Sequence, residues 1–185
     1  MHTPILLLIN GPAGIGKSTI AKRYIDDHPL ALLISADDLI ASMGLWLSNE
    51  AEGRQLAFRL LLVMAAEHLR SGHTVVIPHL LTKHEEADAL QAVASQQGVP
   101  FIECTLVAPK QEAIQRLFDR GTWGEPDAPP LADADTPIAE GLYDKMEATL
   151  RDRSNSVPIR SVKDDIDGTY QNLRALVDEA IAKNT

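Results

Sequence analysis

Disulfide chemistry is the first thing this sequence lacks. Its 185 residues include one cysteine, Cys104, so no internal bridge staples the fold and the composition suits a reducing compartment. There is no apolar run near the ~20 residues that a helix needs to cross a bilayer. The first apolar run, at residues 5–10, follows no basic region and is too short for a secretory core. We therefore expect a soluble, cytoplasmic protein. Positive charge is scarce too: 17 Lys and Arg against 26 Asp and Glu leave a formal charge of −9. Such a surface repels nucleic-acid backbones and argues against a large duplex-binding face. Internal repeats and low-complexity tracts are missing as well.

What is present is an alternation. "ILLLIN" (5–10), "LALLIS" (30–35), "TVVIP" (74–78), "PFIECTLV" (100–107) and "VPIRSV" (157–162) read as strands. The first three show little polar alternation, as expected of strands covered on both faces. Cys104, inside the fourth, reads as a small buried hydrophobe. Helical patterns fall near 17–27, 50–70, 83–97, 109–120, 138–152 and 168–182. Thr82 and Glu85 predict a capping box. Pro109 and Gly121 suit the start and end of one helix, Gly72 ends another, and Thr136–Pro137 opens a third. The length fits one domain spanning residues 1–185 with a core able to fold unaided. Strands alternating with helices predict a parallel sheet with right-handed crossovers. One stretch breaks the rhythm. Residues 121–137, "GTWGEPDAPPLADADTP", are rich in Gly, Pro and Asp and read as a lid-like loop.

Residues 11–18, "GPAGIGKS", match G-x-x-x-x-G-K-[ST], after a buried strand and before a helix. A phosphate chain carries several charges, so several donors must converge on it with no bulky side chain between. Gly11, Gly14 and Gly16 let the backbone curl so that successive N–H groups, including those of Ala13 and Ile15, point inward as a nest. The following helix adds unpaired N–H groups, at Ser18 and Thr19, and the positive end of its dipole. Lys17 supplies a point charge for the β- and γ-phosphates, and the Ser18 hydroxyl suits Mg²⁺.

The stretch resembles the phosphate-binding loop of P-loop nucleoside triphosphatases. With "LISADDLIASMG", which places Asp37 and Asp38 just past the second strand, the chain resembles the small P-loop kinases. These include chloramphenicol phosphotransferase, polynucleotide 5′-kinase, shikimate and gluconate kinases, zeta-type toxins and bacterial AAA-type kinases of this size. The resemblance implies a three-layer α/β sandwich with a five-stranded parallel sheet of order 2-3-1-4-5. In the first two enzymes an acid directly after the second strand acts on the acceptor hydroxyl; that acid falls on Asp37. Asp37 also suits a Mg²⁺-bound water, while Asp38 is either a second substrate contact and candidate base or a helix N-cap or dipole partner. In "PKQEAIQRLFDRG", Arg116 and Arg120 share a helix face beside the long loop, which resembles the R-x-x-x-R at the lid base of these kinases. Those arginines touch ATP or the transferring phosphoryl group. The alternative is a solvated helix face with Asp119 paired to a neighbour.

Departures from the pattern also matter. "VVIPHLL" puts Pro78 where many P-loop proteins carry a Walker B Asp, which shifts weight for Mg²⁺ to Ser18 and Asp37. His79, at the same sheet edge, is either a substrate contact or structural, and Arg54 and Arg59 read as surface charge. No N-K-x-D guanine signature occurs, and the D-x-x-G at Asp165–Gly168 precedes the last helix, where Asp167 reads as an N-cap. The implied activity is transfer of the γ-phosphoryl of ATP, with Mg²⁺, to a hydroxyl of a small molecule. The alternatives are a nucleoside, nucleotide or nucleotide-sugar kinase, and an ATP-binding regulator with no acceptor.

Overall fold

The computed structural model describes residues 3–125 and 128–183. Five strands form one sheet: β1 (Leu6–Asn10), β2 (Leu32–Leu33), β3 (Val75–His79), β4 (Phe101–Val107) and β5 (Val157–Arg160). All pairs are parallel and the order is β2-β3-β1-β4-β5, as expected. The helices are α1 (Lys17–Asp26), α2 (Ala36–Ala41), α3 (Glu50–Arg70), α4 (His84–Gln96), α5 (Lys110–Arg120), α6 (Thr136–Arg151) and α7 (Ile166–Lys183). Among the described residues no helix is long and apolar enough to cross a membrane.

The central strand shows why the sheet has two covered faces. Every residue of β1 is buried, and successive side chains point to opposite sides. Ile5, Leu7 and Ile9 pack with Ile20 and Tyr24 of α1, Met146 of α6 and Leu173 of α7. Leu6 and Leu8 pack with Leu61 and Ala65 of α3 and Leu90 of α4. Burying one such side chain stabilises by ~1.5–3 kcal/mol, against ~1 kcal/mol net for a ladder hydrogen bond. Packing on both faces therefore places β1 in the middle. Cys104 is buried in the first of these cores, where burial pushes its thiol pKa up to about 12.

Some boundaries depart from expectation. β2 is only two residues long, because Leu30 is left-handed (φ 61°) and Ser35 is already capping α2, a helix the sequence pattern did not suggest. The Thr82–Glu85 capping box does not form. α4 begins after an extended Lys83 with no side-chain cap. At the last helix Asp165, not Asp167, receives the capping bond, from the Gly168 N–H at 2.9 Å. Asp167 lies in the first turn and pairs with Arg23 at 3.5 Å. Gly121, at φ 77°, ends α5 as expected.

Pro78 is accommodated because β2 stops early. Pairing of β3 with β2 covers only Val75 and Val76, so at Pro78 the strand has a ladder neighbour on the β1 side alone. One charge is buried against the sheet. Glu103 of β4 is 3% exposed and accepts from Arg153 Nε and Nη2 at 2.7–3.1 Å, while Arg153 Nη1 reaches Asp88 of α4 at 3.0 Å. Removing the cation leaves that carboxylate buried and unpaired. Arg153→Met is expected to cost ~3–5 kcal/mol, and adding Glu103→Gln to it to restore most of the loss. Urea unfolding midpoints of the single and double variants are the measurement.

Candidate active site

β1 ends on Asn10, which is fully buried and opens the loop of residues 11–16. Its Oδ1 accepts from the Gly11 N–H at 2.7 Å and the Leu81 N–H at 3.0 Å, and its Nδ2 donates to Thr105 Oγ1 at 3.3 Å. One side chain thus fastens the start of the loop to the ends of β3 and β4. Sequence reasoning passed over Asn10; the available signal was a polar residue closing a wholly apolar strand.

Gly11, Gly14 and Gly16 have φ of 148°, 78° and 102°. Gly14 is required for a second reason. A Cβ there would lie 2.7 Å from the backbone N and Cα of Leu117, so α5 rests directly on the loop. Ala13 is half-buried, and the carbonyl of buried Ile15 accepts from Ser161 Oγ at 3.1 Å. α1 then begins with no side-chain cap and no acid in its first turn, whereas α2, α3, α4 and α5 each carry one there. Its positive end is left uncompensated, with Ser18 and Thr19 exposed beside it. Lys17 Nζ donates to the carbonyls of Gly11 and Pro12, each at 2.9 Å. Burial lowers its pKa to about 8; the Asp37 carboxylate opposes this and the Arg120 guanidinium adds to it.

On the other side of the cleft, Ser35 caps α2 by accepting from the Asp38 N–H at 3.3 Å. Asp37 and Asp38 occupy the first turn, but only Asp37 meets the charges of the site. Desolvation in the cleft and the Glu125 carboxylate raise its pKa, and His79, Lys17 and Arg54 oppose that rise. Asp37 and Asp38 are both exposed, and the Asp38 carbonyl accepts from Ser42 Oγ at 2.8 Å. Arg54 is not the plain surface charge expected. Its Nη1 stands 3.9 Å from Asp37 Oδ1, its Nη2 2.7 Å from Glu125 Oε1, and its Nε donates to Glu50 at 2.9 Å. Arg59 is exposed, as read from sequence. His79 Nε2 lies 3.3 Å from Glu86 Oε2, with its ring beside Phe58.

Arg116 and Arg120 leave α5 for different partners. The Arg116 side chain is buried and bonds Ser161 Oγ and carbonyl, both at 3.1 Å, and Glu112; its Nε is buried with no partner among the described residues. It lines a cleft of about 230 Å³ with Gly14, Gly16, Thr19, Ser161 and Asp165. Arg120 instead donates to the backbone carbonyls of Thr122 (2.9 Å) and Trp123, at the start of the lid-like segment. Burial lowers its pKa, opposed by Asp37 and Glu125. Asp119 pairs with Lys163 at 3.0 Å. Of the segment 121–137, residues 126 and 127 lie outside the described residues; Ala128 packs against the cluster of Ile40, Trp46 and Ala57.

A family model described as AAA domain matches residues 6–137. The chain belongs to the AAA domain family. A cytidylate kinase of Maridesulfovibrio salexigens is 52% identical to this AAA-domain protein over 33 residues, which span 18% of this chain and 15% of that kinase. Among solved structures, a gluconokinase from Sinorhizobium meliloti 1021 superposes with a TM-score of 0.63 at 17% identity, over 100% of this chain and 98% of that one. The tunicamycin resistance protein of Deinococcus radiodurans gives 0.62 at 17%, over 95% and 96%. The AAA-domain protein thus has the fold of the small P-loop kinases; at such identities the likeness concerns the fold alone.

The strained protonation of Lys17 has a measurable consequence. Its pKa is about 8 in the folded chain and near 10.5 when unfolded. Between those values the unfolded state binds more protons, so stability rises with pH, by at most about 1.4 kcal/mol per unit. Relative to Lys17→Met, wild-type stability is expected to be flat below pH 8 and to climb between 8 and 10.5. Denaturant unfolding of both proteins across this range tests it, and parallel curves would place Lys17 in an ordinary solvated site.

Proposed function

We propose that this AAA-domain protein is an ATP-dependent kinase that phosphorylates a hydroxyl group of a small molecule. One observation carries the reading: Asp37 at the start of α2 lies near enough to Lys17 of the loop and Arg120 of α5 for their charges to act on one another. A phosphate-binding loop alone would serve a switch equally well. A carboxylate set against the loop lysine is what phosphoryl transfer to an alcohol needs.

In this reading the glycine loop and the uncapped start of α1 seat the phosphates, and Lys17 turns from the Gly11 and Pro12 carbonyls to the β- and γ-oxygens. Asp37 orients the acceptor and takes its proton as the acceptor oxygen bonds to the γ-phosphorus and the bond to the bridging oxygen breaks, releasing ADP. Arg120 offsets charge on the transferring group. The family's Mg²⁺ brings phosphate charge neutralisation. Among the described residues no group of three or more His, Cys, Asp or Glu is placed to hold a metal. Ser18, whose hydroxyl is exposed, would hold an ion carried in on the phosphates, and Asp37 would support it from the acceptor side. Arg116, already anchored to Ser161, lines the cleft where the rest of the nucleotide would lie. The short cytidylate kinase match favours a second reading, in which the acceptor is a nucleotide.

Two measurements decide among these readings. ATP with Mg²⁺ at a hundredfold excess over Kd is expected to stabilise the wild type by about 2.7 kcal/mol and Lys17→Ala by far less; equal thermal shifts would remove the phosphate seat. Acceptor-dependent ADP release across sugars, nucleosides, nucleotides and hydroxylated antibiotics then identifies the substrate, and a rate at background with all of them would leave a nucleotide-binding regulator. With an acceptor in hand, Asp37→Asn is expected to lower kcat by about 10²–10⁴ at nearly unchanged ATP affinity, and Asp38→Asn to cost little. The reverse pattern would move the base to Asp38.

A further inference from the structure

We propose that Arg54 is a positioning residue for Asp37, held in place by Glu125, so that seating of Glu125 and Ala128 and orientation of the Asp37 carboxylate are one event. The inference rests on the kinase reading only for what that orientation achieves; the geometry stands without it.

One guanidinium joins carboxylates from three parts of the chain: Glu50 on its own helix, Asp37 on α2 and Glu125 on the segment after α5. Glu125 is the unusual member. Its side chain is 6% exposed, although it belongs to a stretch of mostly exposed Asp, Pro and Gly. A carboxylate is not buried for packing; it stays buried when a cation meets it, and Arg54 Nη2 does so at 2.7 Å. Ala128, three residues on, seats against Ile40, Trp46 and Ala57, so the same segment is also pinned to α2–α3 by an apolar contact. Arg54 is thereby placed with Nη1 at 3.9 Å from Asp37, close enough to hold its charge and too far to neutralise it by a direct hydrogen bond.

A rival role for Arg54, direct capture of an anionic acceptor, conflicts with this geometry. Nε and Nη2 are committed to Glu50 and Glu125. Only Nη1 is left to meet an incoming anion, and there the anion would stand against the Asp37 carboxylate 3.9 Å away.

The test uses the full chain with no nucleotide or acceptor, so that its failure is separate from failure of the kinase reading. Asp37 is faced by Lys17 of α1, Arg54 of α3, His79 of β3, Arg120 of α5 and Glu125. Carboxyl-¹³C aspartate NMR, assigned with Asp37→Asn, follows its titration. Arg54→Gln is expected to move the Asp37 midpoint up, because a cation is lost beside Glu125. Glu125→Gln is expected to move it down, because an anion is lost and Arg54 is released toward Asp37. Arg54→Lys should return the midpoint toward wild type but not the full docking, since an ammonium does not span the carboxylates as a planar fork does. In both Gln variants amide exchange at Ala128 and Leu131 should quicken by about tenfold or more, as expected on losing a buried charge partner. Circular dichroism verifies folding, and should Arg54→Gln fail to fold, Glu125→Gln carries the test. Faster exchange with an unmoved Asp37 midpoint would overturn the proposal and leave Arg54 a structural tie. So would midpoints that move in the same direction in both Gln variants.

Discussion

The site depends on how closely α5 rests on the phosphate-binding loop. With a hydrogen in place of a side chain at Gly14, the backbone of Leu117 approaches to a distance no Cβ would allow. That contact sets where α5 begins and ends relative to the loop. It brings Arg116 against Ser161, whose hydroxyl in turn holds the Ile15 carbonyl, so loop, helix and the turn after β5 brace one another. It also sets Arg120 against the carbonyls of Thr122 and Trp123, at the start of the following segment. Asn10 braces the loop from below, at the sheet edge. The curled backbone is therefore held from two directions.

Charge across the cleft follows from this bracing. Lys17, held on two loop carbonyls, is a half-buried cation, and the cost of keeping it charged there is relieved by whatever anion arrives. Asp37 faces the opposite problem. It sits in the same cleft near a second carboxylate, with Arg54, His79 and Lys17 favouring its ionised form. Neither group is at its solution value, and each shifts the other. Paired titratable groups pushed in this way are commoner at reactive sites than on inert surfaces. The likeness to the gluconokinase structure is one of fold, and fold likeness carries no chemistry.

Much of this was legible in the amino-acid order. The P-loop pattern is local: a buried strand, glycines at set positions and a helix start lie within twenty residues, so position in the chain dictates position in space. The five strands were readable for the same reason, since β1, β3 and β4 are apolar runs bounded by turns. The sheet order came by resemblance to the small P-loop kinases, not from any residue pattern. Where local signals were weak the reading drifted. The capping box at Thr82–Glu85 competed with an extended Lys83 and did not form, and the two-turn α2 was too short to display a period.

What only the tertiary structure decided concerns residues far apart in sequence. Arg54 reads as surface charge because its helix alone offers it only Glu50; its bond to Glu125 spans 71 residues. Arg116 and Arg120 share a helical face by spacing, yet one is buried against Ser161 and the other reaches the Thr122 and Trp123 carbonyls. Asp37 and Asp38 likewise share one helical turn, and packing sets which of them stands beside Arg54. Local sequence sets which backbone shapes are permitted. Which charges then meet is set by packing of α3, α5 and the segment between α5 and α6 around one cleft, and no short stretch of sequence encodes that.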